Sequence, residues 1–88
     1  MSHEVAPNAT WKELDGSIVV VNTVSGAYYC LNESAAVIWQ DVAAGKDNNS
    51  IIEHLSGVYE VDPTMVAADL QKSIDYWIQE NLIVAKDA

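Results

Sequence analysis

Apolar residues recur along the chain in two rhythms, first at every second position and later at every third or fourth. The short rhythm holds from Thr10 to Leu31. Thr10–Leu14 reads as a short strand. Asp15-Gly16 is a turn dipeptide suited to a hairpin. Ser17–Thr23 follows, with the β-branched run Ile18-Val19-Val20-Val21 as the strongest strand signal in the chain. Ser25-Gly26 marks a second turn, and Ala27–Leu31 a third strand. Two tight turns between three strands predict an antiparallel meander.

At Asn32 the rhythm changes. Asn32 is a good helix N-cap, and Glu33 suits the positive end of a helix dipole. Ala35, Ile38, Trp39 and Val42 then share one face of a helix that ends near Gly45. Asn48, Asn49 and Ser50 offer the next cap, before Ile51, Ile52, Leu55, Val58 and Tyr59, with fraying expected at Gly57. Asp62-Pro63 opens a third helix with the stripe Val66, Leu70, Ile74, Trp77 and Ile78. Asn81 can close it in the left-handed conformation. Leu82–Val84 is an apolar extension or a small strand, and Lys86–Ala88 are expected to fray. Residues 1–9 show no period and are read as a flexible N-terminal tail, which leaves 10–85 as the domain. Strands segregated from helices imply an α+β domain with its helices on one face of the sheet. The last two helices can form a helix-turn-helix, so a winged-helix-like core is expected.

Composition narrows the function more than the fold. The chain has 88 residues, half of them hydrophobic and 19% charged, which suits one small folded domain and not a disordered segment. Its formal net charge is −9, with Lys+Arg 4 against Asp+Glu 13. Such a chain has no basic patch for phosphates, and an anionic membrane would repel it. Nucleic acid and membrane are therefore excluded as expected partners. The lone cysteine, Cys30, rules out an internal disulfide or a thiolate-rich metal site. With no signal-peptide pattern at the start, a cytoplasmic location is expected.

No constellation for catalysis emerges. His3 and His54 have no metal-ligand spacing and read as surface histidines, so neither metal nor cofactor is expected. Cys30 sits in an apolar strand of an acidic protein, without the neighbouring base and positive surroundings that a nucleophilic thiol needs, and reads as structural. The aromatic residues are more informative. Trp39 and Trp77 fall on helical stripes and belong to the core. Tyr28 and Tyr29 are adjacent in a strand and must point to opposite faces. If Tyr29 and Leu31 face the helices, Tyr28 and Cys30 face outward. The third strand, Ala27–Leu31, carries no charge and no proline, so it lacks the usual protections of a sheet edge. A helix covers such an edge, or an extended peptide adds to it as a further strand.

The run Gly26-Ala27-Tyr28-Tyr29-Cys30-Leu31-Asn32, then Ala35, Ile38-Trp39 and Gly45, resembles the PqqD family. So does Asp69-Leu70, Ile74, Trp77 and Leu82-Ile83. The family is also known as the precursor-peptide recognition element of ribosomally synthesised, post-translationally modified peptides. The likeness runs from about Trp11 to Val84, and its motifs are mostly apolar and structural.

The resemblance implies a non-catalytic domain that binds the leader of a precursor peptide and presents the rest to a modifying enzyme. That enzyme would be a radical SAM enzyme, a leader peptidase or a cyclase; the client would be a cofactor precursor, a lasso-type precursor or a related peptide. Carried over, the leader would add to Ala27, Tyr28, Tyr29, Cys30 and Leu31. It would lie against Asp69, Lys72, Ser73 and Tyr76 of the last helix. Ser73 stands where many relatives have a larger apolar residue, Trp77 where Leu is usual, and Asn81 where Gly is usual. The family's basic residues near the groove are nearly absent, which implies a more basic leader. Competing readings are a winged-helix transcription regulator and a structural dimerisation module. Both monomer and dimer remain open.

Overall fold

The structure, a computed structural model, describes residues 2–86. The meander and the three helices are present. The strands are β2 (Ala9–Leu14), β3 (Ser17–Asn22) and β4 (Tyr28–Leu31), joined antiparallel in the order β2-β3-β4. The β2–β3 turn is formed by Asp15 and Gly16, both at positive φ (48° and 82°). This is the two-residue turn whose twist matches a hairpin, which explains why Asp-Gly stands there. The helices are α1 (Glu33–Ala43), α2 (Asn48–Tyr59) and α3 (Pro63–Gln79). Asn32, Asp47 and Asp62 cap them, each side chain accepting a backbone N–H of the first turn. For α2 the cap lies one residue before the expected Asn48–Ser50, and the helix runs through Gly57 without a break.

Two expectations at the ends are corrected. Residues expected as a flexible tail include β1 (Ser2–Val5), which pairs antiparallel with β5 (Ile83–Lys86) in a second sheet. Val5 packs on the core, Ala6 is buried, and the Ala6 N–H donates to the Leu82 carbonyl at 2.9 Å. Four residues show no period, and their partner lies some eighty positions away, so local pattern cannot reveal the pairing. Lys86, expected to fray, lies in β5, while Asp87 and Ala88 fall outside the described residues.

The core lies between the inner face of the meander and the three helices. Ile18 and Val20 of β3 meet Trp39 and Val42 of α1, Ile51 and Leu55 of α2, and Leu70, Ile74 and Trp77 of α3. Trp39 is fully buried and packs edge-on against Trp77, with ring centroids 5.1 Å apart. Ile78, expected on the buried stripe of α3, is 41% exposed, because the stripe of a straight helix turns away from the core at its end. His3, expected at the surface, lies in β1 and is buried. His54 sits half-buried with Nδ1 2.6 Å from the buried Asp41 carboxylate, which also receives Lys46 at 3.3 Å. The Asp41–His54 contact ties α1 to α2.

Candidate functional site: the β4 edge and the α3 wall

β4 is the last strand of its sheet, and among the described residues nothing pairs with its outer side. Which of its backbone groups are free follows from the ladder. The Asn22 N–H donates to the Ala27 carbonyl at 2.8 Å, so Asn22 and Ala27 form a hydrogen-bonded pair. Antiparallel ladders alternate, and the register pairs Val20 with Tyr29 and Ile18 with Leu31. Ala27, Tyr29 and Leu31 therefore turn their backbone groups toward β3. The N–H and C=O of Tyr28 and Cys30 point away from the sheet, toward open space.

The side chains of β4 divide as expected. Tyr28 (71% exposed) and Cys30 stand on the sheet face turned from the helices. Tyr29 and Leu31 lie on the inner face. Leu31 is in the core, so its side chain is not available to a ligand, whereas Tyr29 reaches across to α3. Its ring meets Tyr76 edge-on at 6.2 Å, and its hydroxyl donates to Glu80 Oε1 at 2.7 Å. That hydrogen bond, with some burial and the nearby negative charge, pushes the Tyr29 phenol up to about 12. The Asn22 amide donates to the Glu80 carbonyl at 3.2 Å, and the Asn8 amide to the Asn81 carbonyl at 2.9 Å. One end of α3 is thus pinned to the sheet.

Toward the other end, α3 stands off and leaves a groove of about 550 Å³. Asp69, Lys72 and Ser73 line it from α3, Ala35 and Ile38 from α1, and Leu55 and Tyr59 from α2. Asn32, directly after β4, is at its rim. The expected residues of α3 are thus brought together: Asp69, Lys72 and Ser73 at the groove, Tyr76 beside Tyr29. They fall at i, i+3, i+4 and i+7, one face of a helix. Glu80, one turn past Tyr76, continues that face and was missed. The same spacing would have found it. The apolar floor from α1 and α2 was also missed, since only the folded chain places those helices under α3.

Among the described residues, no group of three or more His, Cys, Asp or Glu could hold a metal ion, and no helix is long and apolar enough to cross a membrane.

Fold and site together define a winged-helix-like α+β domain in which an uncharged sheet edge lies beside a helical wall. The chain belongs to the family described as coenzyme PQQ synthesis protein D (PqqD), whose model matches residues 17–83. Two solved structures share the fold closely. One is "TbiB1 in Complex with the TbiA(beta) Leader Peptide", with 20% identity, TM-score 0.90, and 97% of this chain and 99% of that one covered. The other is "Lasso peptide synthetase B1 complexed with the leader peptide", with 22% identity, TM-score 0.88, and 97% and 100% covered. A search of the curated proteins finds no match.

Proposed function

We propose that this domain binds the leader of a ribosomally made precursor peptide as an added strand on β4 and delivers the peptide to a modifying enzyme. The carrying observation is the pair of outward-facing, unpaired peptide groups at Tyr28 and Cys30, set beside an apolar groove under α3. Edge hydrogen bonds supply sequence-independent affinity, and the groove supplies selectivity for alternate side chains. Membership of the PqqD family supports the reading, as do the two similar folds, both named as leader-peptide complexes.

In this reading the contacts are the backbone of Tyr28 and Cys30, the Tyr29 ring, and Asp69, Lys72, Ser73 and Tyr76, while Ala27 and Leu31 flank them with their own peptide groups turned to β3. The domain does no chemistry of its own; the bond-making belongs to a partner, whether a radical SAM enzyme, a leader peptidase or a cyclase. A cytoplasmic setting fits the single cysteine, because this fold is held by its core without a disulfide.

The test is an NMR titration of the chain with the leader peptide encoded beside it. Amide shifts are expected along β4 and the facing side of α3. Shifts confined to β1, β5 or α2 would contradict the proposal.

A further inference from the structure

We infer that Glu80, held in place by Tyr29, is a receptor for a Lys or Arg side chain of the bound peptide, at the peptide position facing Tyr29. The inference rests on the strand-addition reading above.

It follows first from stereochemistry. A strand added to β4 must exchange hydrogen bonds with Tyr28 and Cys30, whose peptide groups point outward. Peptide residues opposite those two lie on the sheet face turned from the helices, because cross-strand neighbours share a face. Residues opposite Tyr29 and Leu31 point inward, toward α3. The inward residue beside Leu31 and Asn32 enters the mouth of the groove. The inward residue beside Tyr29 meets Tyr29, Tyr76 and Glu80 instead.

These two stations differ in chemistry. At the groove the wall carries Asp69 and Lys72, one charge of each sign. At Tyr29 the charged side chain in contact, among the described residues, is Glu80. The Tyr29 hydroxyl occupies its Oε1 and fixes the carboxylate, while no Lys or His among the described residues pairs with it. Tyr76, 49% exposed, offers a ring beside it. A fixed carboxylate flanked by aromatic rings suits an ammonium or guanidinium, through a charge-assisted hydrogen bond and contact with the ring face. It disfavours an acidic residue at that position. The recognised peptide is therefore one with a cation two residues from the side chain that fills the groove.

The experiment selects a displayed library of random twelve-residue peptides on the wild-type chain and on Glu80→Gln. Gln keeps an acceptor for the Tyr29 hydroxyl, and circular dichroism checks that the variant is folded. Wild type is expected to enrich Lys or Arg at one position, two away from a bulky apolar residue. Glu80→Gln is expected to lose the cation while keeping the apolar residue, and to bind the wild-type winner about fivefold more weakly. Tyr29→Phe, which frees the carboxylate but keeps the ring, is expected to fall between. Enrichment without a cation, or a cation preference that survives Glu80→Gln, would overturn the inference and leave leader binding standing. Failure of the wild type to enrich any peptide would overturn both.

Discussion

Among the described residues the meander has two free edges, and they differ in charge and in what lies beside them. On β2 the ladder alternation, anchored by the Thr23 N–H bonded to the Asn8 carbonyl at 2.8 Å, turns the backbone of Trp11 and Glu13 outward. Those groups are as bare as their counterparts on β4. Yet β2 carries Lys12 and Glu13 within four residues of its turn, and charges of this kind deter edge-to-edge pairing. A hollow of about 260 Å³ lies on the sheet beside Lys12 and Leu14, lined by strand residues alone. β4 carries no charge, and a groove of about twice that volume, walled by α3, begins at Asn32 directly after it. Unpaired hydrogen-bonding groups are thus common to both edges. What distinguishes β4 is the absence of charge and the helical wall beside it.

The sharpest way to break this comparison is to block each edge in turn. Proline at Cys30 removes an outward N–H and puts a ring in the path of an added strand, without touching the β3 ladder. It is expected to weaken leader binding at least about thirtyfold by fluorescence anisotropy, since the lost hydrogen bonds and the steric block act together. Glu13→Pro makes the same change on β2 and is expected to leave affinity within about twofold. Equal losses from the two variants would remove the distinction between the edges.

A smaller effect is expected from the wall. Ser73→Trp fills the groove under α3 with a large ring and is expected to reduce affinity about tenfold, as one well-buried anchor is displaced. Lys12→Trp adds the same bulk beside β2 and is expected to change nothing in binding.

A spectroscopic prediction concerns the bridge that pins α3 to β4. The Tyr29 phenol is held protonated to about pH 12 by its hydrogen bond to Glu80. Because its folded value lies above the ordinary value of 10.0, this contribution to stability is complete below pH 10.0 and lost as pH rises through about 12. An ultraviolet titration is expected to show one late phenol step that disappears in Tyr29→Phe. β2 has no tyrosine to form a comparable bridge.

The smallest effect belongs to a site remote from both edges. Asp47 caps α2, and the backbone and side-chain hydrogen bonds of Ser50 hold its carboxyl below the usual carboxylate range. With a lowered folded value, its contribution is present above the ordinary carboxylate pKa and lost as pH falls through the lowered one. Asp47→Ala is expected to lower the melting temperature slightly, to flatten the acid limb of stability, and to leave leader affinity unchanged.

Much of this contrast was legible before folding. The uncharged run Ala27–Leu31 already marked an unprotected edge, and the resemblance to the PqqD family already pointed to Asp69, Lys72, Ser73 and Tyr76. Trp39 and Trp77 were legible as core because a Trp on an amphipathic stripe has nowhere else to bury its ring. What stayed hidden depended on distance in sequence. β1 lacks a period and is a strand only because it pairs with β5, whose first residues, Ile83 and Val84, were read as an extension or a small strand. The groove floor needs α1 and α2 placed beneath α3. The buried positions of His3 and Asp41 follow from the same long-range packing, since neither residue type signals burial locally. Leu31 shows the limit of a residue-by-residue carry-over: its backbone lies at the edge, while its side chain is part of the core.

Amide hydrogen exchange, followed residue by residue in the free chain and with saturating leader peptide, tests the central claim most directly. The N–H groups of Tyr28 and Cys30 are expected to exchange rapidly in the free chain and to slow by at least about a hundredfold when the peptide is bound, while those of Trp11 and Glu13 stay fast throughout. Protection of Tyr28 and Cys30 already present in the free chain, or slowing that appears on β2 instead of β4, would contradict the account.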